Sequence, residues 1–178
     1  SQYDSYYRPI LTLSFMVDAW IGGTNPAIYH FTNIVLHLTT STLVWFLFKR
    51  LQIHPTTAFL FTLLFTVHPA HSQATYWVPG RNDPLMGMFA LASFIGFIDY
   101  LKQPSGKLYF LHILFWILAV LSKETALFLI PIFLIYSYLF AVQTRPLIHL
   151  IPAWALGIVF WQTMKFIAFE NPIDLHPE

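Results

Sequence analysis

The stretch LYFLHILFWILAVLSKETALFLIPIFLIYSYLFAV, running from Leu108 to Val142, decides how this chain must fold. As one helix rising about 1.5 Å per residue it would be roughly 52 Å long, against a hydrocarbon core of about 30 Å. Ser122, Lys123 and Glu124 stand near its middle, where a charged pair in lipid is expensive. Two spans, Leu108–Leu121 and Thr125–Val142, joined by a tight polar turn, remove both difficulties.

Four further apolar segments flank this pair: Ala27–Phe48, Thr56–Val67, Pro84–Leu101 and Leu147–Ala168. With 57% hydrophobic and only 10% charged residues, the chain has too little polar surface to coat a water-soluble globule. Aromatic residues make up 19%, and many Trp and Tyr lie near the ends of apolar runs, as headgroup anchors do. The expected fold class is all-α: an integral membrane, polytopic helical bundle, one domain over residues 1–178. No basic run of the kind that tracks nucleic-acid phosphates is present, so no nucleic-acid partner is expected. The absence of cysteine excludes disulfides and thiolate metal sites. The opening SQYDSYYRPI has neither the basic region nor the apolar core of a signal peptide, and the chain is expected to be part of a longer one.

Charge bias sets the direction. If the first residues lie on the outer face and the chain crosses six times, Lys49, Arg50, Lys102, Lys107 and Arg145 all fall on the cytoplasmic side. The same topology sends His68, His71, Arg81, Asp83, Lys123, Glu124 and the tail acids Glu170, Asp174 and Glu178 to the outer face. Thr56–Val67 rises only about 18 Å as a helix and is followed by Pro69, so it tilts or stops inside the protein. A recess open to the outer water results, with Ala70–Val78 continuing as an interfacial helix that carries Tyr76 and Trp77. Before the first span, Arg8–Gly22 is too short to cross and is interrupted by Asp18; an amphipathic interfacial helix is expected, ended by Gly22 and Gly23.

The polar residues suggest where chemistry sits. His30, Asn33 and His37 share one face of the first span. Such a stripe either glues helices together, typically at about 0.6 kcal/mol per contact, or lines a site. His68 and His71 stand three apart around Pro69; without Cys or a clear carboxylate ligand they argue for phosphate contact or proton transfer before metal. No metal is assigned, and a divalent ion is left open. Arg81 offers a planar fork for a phosphate, while Asp83 either caps the following helix or serves as an acid or base. Lys123 and Glu124 either pair with each other or contribute to the same site.

YYRPILTLSF (Tyr6–Phe15) and NPAIYHFTNIVLH (Asn25–His37) resemble the YRPL…LSF and NPxxFHxxNxxLH segments of a known family. HPAHSQATYWVPGRND (His68–Asp83) resembles its HPxHxEAVxWVxGRxD segment, and LSKE (Leu121–Glu124) its LSKE turn. The family is the transmembrane protein O-mannosyltransferases that carry tetratricopeptide repeats, with their bacterial relatives, which is similar to the GT-C superfamily of polytopic glycosyltransferases. The resemblance implies a GT-C-like membrane enzyme that takes a mannose-like sugar from a polyprenyl-phosphate donor on the exoplasmic face. Its bilayer would be the bacterial inner membrane, or the endoplasmic reticulum in a eukaryote. It implies an acceptor hydroxyl on a protein or glycan, no covalently bound cofactor, and catalytic carboxylates in an outer loop upstream of the YRP segment. This sequence departs from the pattern at Gln73, where the family has Glu, and nothing after Val142 shows a 34-residue helical repeat.

On that expectation the candidate cations and donors for the sugar phosphate are Arg8, His30, His68, His71, Arg81 and Lys123, with Glu124 beside them. Tyr76 and Trp77 would offer an apolar face to prenyl chain or sugar. Asp4 and Asp83 are the acids available as substitutes for the upstream loop. Two other classes compete: a transporter lined by the histidine stripe, and a noncatalytic lipid-binding or assembly subunit.

Overall fold

The computed structural model describes residues 7–71, 76–140 and 144–170. Asp4, Gln73 and the tail acids Asp174 and Glu178 lie outside the described residues, as do the side chains of Arg145 and Glu170. Among the described residues, seven α-helices follow in order: α1 (Pro9–Gly22), α2 (Pro26–Arg50), α3 (Pro55–Val67), α4 (Asn82–Lys102), α5 (Gly106–Ser122), α6 (Leu129–Leu139) and α7 (Thr144–Glu170). Short 3-10 turns at Pro69–His71, Val78–Arg81 and Glu124–Phe128 join them, and no strand occurs among the described residues. The chain is an all-α, multi-pass membrane bundle. Pro26–Arg50, Val78–Lys102 and Leu147–Phe169 are long and apolar enough to cross a membrane; Pro9–Gly22, Pro55–Val67, Gly106–Ser122 and Glu124–Leu139 are shorter apolar helices.

Local chemistry accounts for the boundaries. Proline stands in the first turn of α1, α2 and α3, where its missing N–H loses no helical hydrogen bond. Asn25 accepts from the Ala27 N–H at 3.1 Å, and Ser105 from the Leu108 N–H at 3.3 Å, as N-caps do. Gly23 ends α1 at φ 58°, a conformation that favours glycine, and its N–H returns to the Ala19 carbonyl at 2.8 Å. The long apolar stretch divides where its charges stand: α5 stops at Ser122, and the chain restarts through a 3-10 turn into α6.

The core lies among α4 to α7. Phe97, Trp116, Phe133 and Leu150 are fully buried, with Trp154 and Trp161 packed beside them. Ring centroids of Phe97 and Phe133 lie 4.8 Å apart, and Phe133 stacks on Trp154 at 5.7 Å. A polar clamp threads this core: the Trp154 indole N–H donates to His112 Nε2 at 3.1 Å, so the ring proton sits on Nδ1 and donates to the Ser93 carbonyl at 3.0 Å. At Gly96 a Cβ would lie 3.5 Å from the His112 backbone, so α4 and α5 approach closely there.

Helix α1 corrects one expectation. It is not amphipathic with a wet polar face. Leu13, Met16, Val17, Trp20 and Ile21 are exposed, whereas its one charged residue, Asp18, is buried. An apolar outer surface suits lipid, and a carboxylate turned inward must find a partner.

Candidate active site

Arg81 is that partner. The Arg81–Asp18 ion pair measures 2.6 Å, with side chains 0% and 2% exposed. Arg81 Nε also donates to Asn33 Oδ1 at 2.6 Å, and its terminal nitrogens donate to the Tyr29 carbonyl at 2.9 Å and the Ser14 hydroxyl at 3.4 Å. Thr32 donates to Asp18 Oδ1 at 2.7 Å, and the guanidinium lies 4.6 Å over the Phe15 ring. The planar fork that Arg81 was expected to offer a phosphate is met here by protein groups instead. It is occupied inside the protein, where it ties α1 and α2 to the start of α4. Asn33, one of the three stripe residues, belongs to this buried network.

At the turn between α5 and α6, of the two roles open to Lys123 and Glu124, a direct mutual ion pair is not the one formed: each has its hydrogen-bonded ion partner elsewhere. Lys123 Nζ bonds Asp83 Oδ1, in the first turn of α4. Glu124 accepts a two-pronged contact from Arg8, at 2.8 Å from Nη2 and 3.3 Å from Nε. The Arg8 hydrogen bond holds the Glu124 carboxyl below its ordinary range. Nor does Asp83 cap α4: Arg81 stands at the cap position, without a side-chain hydrogen bond. Two half-exposed ion pairs thus join residues 116 and 40 positions apart in sequence at one end of the bundle.

The histidines gather beside this rim. His37 Nε2 meets the Thr66 carbonyl at 2.9 Å, just before α3 ends. Its ring centroid is 5.7 Å from that of His71, which in turn lies 6.1 Å from His68 and 4.3 Å from Phe65. Burial, then the neighbouring His37 and His68, lower the pKa of His71 from its ordinary value. Among the described residues, no three His, Asp or Glu side chains come together to hold a metal ion. His30 faces Tyr76 at 6.2 Å, and Tyr76 and Trp77 are exposed. Of the interfacial helix expected over Ala70–Val78, residues 72–75 lie outside the described set, while Ala70 and His71 belong to one 3-10 turn and Val78 opens another.

Because α3 is short, it ends level with His37, whereas α2 continues from there to Pro26, a further rise of about 16 Å. Among the clefts that the described residues form beside this step, two meet at His37. The inner one, about 460 Å³, runs between α2 and α4, with His37, His71 and Asp83 at its polar end and Val44, Gly87, Ala90 and Leu91 along its apolar end. The outer one, about 480 Å³, is bounded by His30, Ile34, His37, Leu38 and Tyr76. His37 walls both. A cleft with a polar mouth and an apolar floor suits a ligand having a charged head and a hydrocarbon tail.

The family model for dolichyl-phosphate-mannose-protein mannosyltransferases matches residues 11–166. The chain belongs to this family. Mannosyltransferase relatives include the protein O-mannosyl-transferase F38B6.6 of Caenorhabditis elegans, 34% identical over 177 residues, covering 93% of this chain and 25% of that protein. Protein O-mannosyl-transferase TMTC1 of Homo sapiens is 33% identical over 150 residues, 78% of this chain and 17% of that protein. Protein O-mannosyl-transferase TMTC4 of Mus musculus is 33% identical over 140 residues, 66% of this chain and 19% of that protein. The chain thus spans a quarter or less of these relatives' lengths. No solved structure matches it.

Asp18, Asp99, Ser93 and His112 were not singled out as contact-making residues from sequence. For Asp18 a signal existed: a lone carboxylate in an otherwise apolar helix requires a buried partner. Asp99 pairs with Arg50 at 2.6 Å at the opposite end of the bundle, where Lys102 also donates to the Arg50 carbonyl at 3.1 Å.

Proposed function

We propose that this chain forms part of the membrane core of a GT-C-type glycosyltransferase, moving a mannose-like sugar from a polyprenyl-phosphate donor to a protein hydroxyl on the exoplasmic face. The observation that carries this reading is the inner cleft, in a member of a mannosyltransferase family. The sugar phosphate sits at the end bounded by His37, His71 and Asp83, and the first isoprene units run along Val44, Gly87, Ala90 and Leu91. Arg8, Lys123 and Glu124 form the charged rim that the phosphate meets, with His68 and His30 to either side. Tyr76 and Trp77 hold the rim at the headgroup layer and contact lipid or sugar.

Arg81 contributes by position: its pairing with Asp18 fixes the start of α4, two residues before Asp83. Transfer needs no stored group on the protein; it needs a held leaving phosphate, a placed acceptor and somewhere for the hydroxyl proton to go.

The test is transfer of labelled mannose from mannosyl-phosphoryl-polyprenol to a Ser/Thr peptide by the full-length protein in proteoliposomes. Labelled peptide supports the enzyme. Flux of a solute without transfer would favour a transporter. Donor binding without turnover would favour a lipid-binding or assembly subunit.

A further inference from the structure

Beyond Leu38, which it shares with the outer cleft, a groove of about 420 Å³ runs between α2 and α3 toward Trp45, with Phe59 and Leu63 on its far wall. Its hydroxyls are largely satisfied within their own helices: Ser41, Thr42 and Thr66 donate to the His37, Leu38 and Thr62 carbonyls at 2.9, 2.9 and 2.8 Å. The groove is therefore apolar in effect, and Leu38, Phe59 and Leu63 stand exposed along it. Its end is marked by charge. Lys49 lies one helical turn past Trp45, a rise of about 6 Å, and its ammonium sits 4.7 Å over the Trp45 ring. Among the described residues Lys49 forms no ion pair, and the Trp45 indole N–H has no hydrogen-bond partner. Of the described acids only Asp99 stands at this end, already paired with Arg50, against Lys49, Arg50, Lys102 and Lys107.

We propose that this groove docks an acidic phospholipid, with its phosphate on the Lys49 ammonium, an ester carbonyl at the Trp45 indole N–H and one acyl chain along Leu38, Phe59 and Leu63. The occupant follows from charge and depth. A cation without a carboxylate partner, one turn outside an apolar groove, matches a lipid whose single negative charge stands directly above hydrocarbon. A zwitterionic headgroup would add an ammonium to an end that already carries an excess of cations. A second copy of the chain, docked about a two-fold along the membrane normal, would bring its own Lys49 to the same level with no acid between them. This site is separate from the inner cleft and does not depend on the glycosyl-transfer reading.

The test is native mass spectrometry of the full-length protein in detergent, titrated with dioleoyl-phosphatidylglycerol or dioleoyl-phosphatidylcholine. The wild type is expected to retain phosphatidylglycerol about fivefold better, one cation's share of attraction to an anionic headgroup. Lys49→Gln should remove that preference. Lys107→Gln, at the same end but outside the groove, should keep it. Thr42→Phe, at an exposed position on the groove wall, obstructs the acyl chain and should weaken phosphatidylglycerol binding while melting like wild type. Equal retention of the two lipids by the wild type overturns the proposal, as does wild-type binding by Thr42→Phe. Equal losses from Lys49→Gln and Lys107→Gln would also overturn it, by showing a diffuse field in place of a site. Dimers that form without lipid and that Thr42→Phe dissolves would give the groove to a second copy. Polyprenyl phosphate displacing phosphatidylglycerol one for one would give it to the sugar donor, and either result sinks the phospholipid.

Discussion

The half of the bundle built from α4 to α7 is held by shape, whereas the half built from α1 to α3 is held by charge. In the first, Phe97, Trp116, Phe133 and Trp154 interlock with one polar clamp at His112. In the second, α2 and α3 leave broad apolar faces exposed, including Phe31, Ile34, Phe59 and Leu63, and a buried ion pair does the fastening. Both clefts described above border α2. On the glycosyl-transfer reading proposed above, a site admitting a long lipid and a hydroxyl acceptor belongs on the less filled side. The packed half gives that side a fixed wall in α4.

The comparison breaks first at Arg81. Removing one member of a buried pair leaves an uncompensated charge, at about 3–5 kcal/mol. Arg81→Ala and Asp18→Ala are each expected to lose most of their folded protein, whereas Asp18→Leu with Arg81→Met recovers much of it. Thermal unfolding in detergent measures this. If either single alanine variant melts like wild type, charge does not hold the α1–α3 half. Combined loss equal to the sum of the single losses would have the same meaning.

Two glycines sharpen the contrast at smaller magnitude. At Gly157, on α7, a Cβ would be driven into the fully buried ring of Trp116, which has nowhere to move. Gly157→Leu is expected to lose about 1–3 kcal/mol by overpacking. At Gly87, on the cleft face of α4, a Cβ would meet nothing within 4 Å. Gly87→Leu should keep or slightly raise the melting temperature, since leucine is the better helix former, while filling the apolar end of the inner cleft and reducing mannose transfer. Equal melting behaviour for the two variants would erase the distinction between a packed and an open half.

Much of the architecture was legible in the chain because membrane helices announce themselves by length and by where charge interrupts them. Lys123-Glu124 marked the break between α5 and α6, Pro69 the end of α3, and Gly22-Gly23 the end of α1. The histidine stripe also read correctly as one helix face, though it divides in use: Asn33 serves Arg81, while His30 and His37 border the clefts. Partners were not legible. Nothing in local sequence tells Lys123 to choose Asp83 over its neighbour Glu124, because the choice depends on how α1 and α4 meet the turn in three dimensions. Arg81 misled for the same reason: a phosphate fork and a buried structural fork have the same local sequence, and only Asp18, far away on α1, distinguishes them.

The smallest effects lie at the rim, where acid should loosen the two parts of the site in separate windows. Glu124 has a folded-state pKa held below the ordinary 4.5 by Arg8, so its contribution is full above that value. It disappears as pH falls from there through the folded pKa. His71 is also depressed, from an ordinary 6.5, but by burial and by neighbouring imidazoles. The unfolded chain therefore takes up its proton first as pH drops below 6.5, and stability declines from that point until the folded pKa is passed. A melting-temperature profile should accordingly fall gently below about pH 6.5 and again below about 4.5. His71→Asn is expected to remove the first decline only. Glu124→Gln is expected to remove the second, at about 0.2–1 kcal/mol near neutrality, since a partly exposed pair is screened by water. If His71→Asn leaves the upper decline intact, the imidazole cluster is not what acid disturbs, and the open half owes its pH response to some other group.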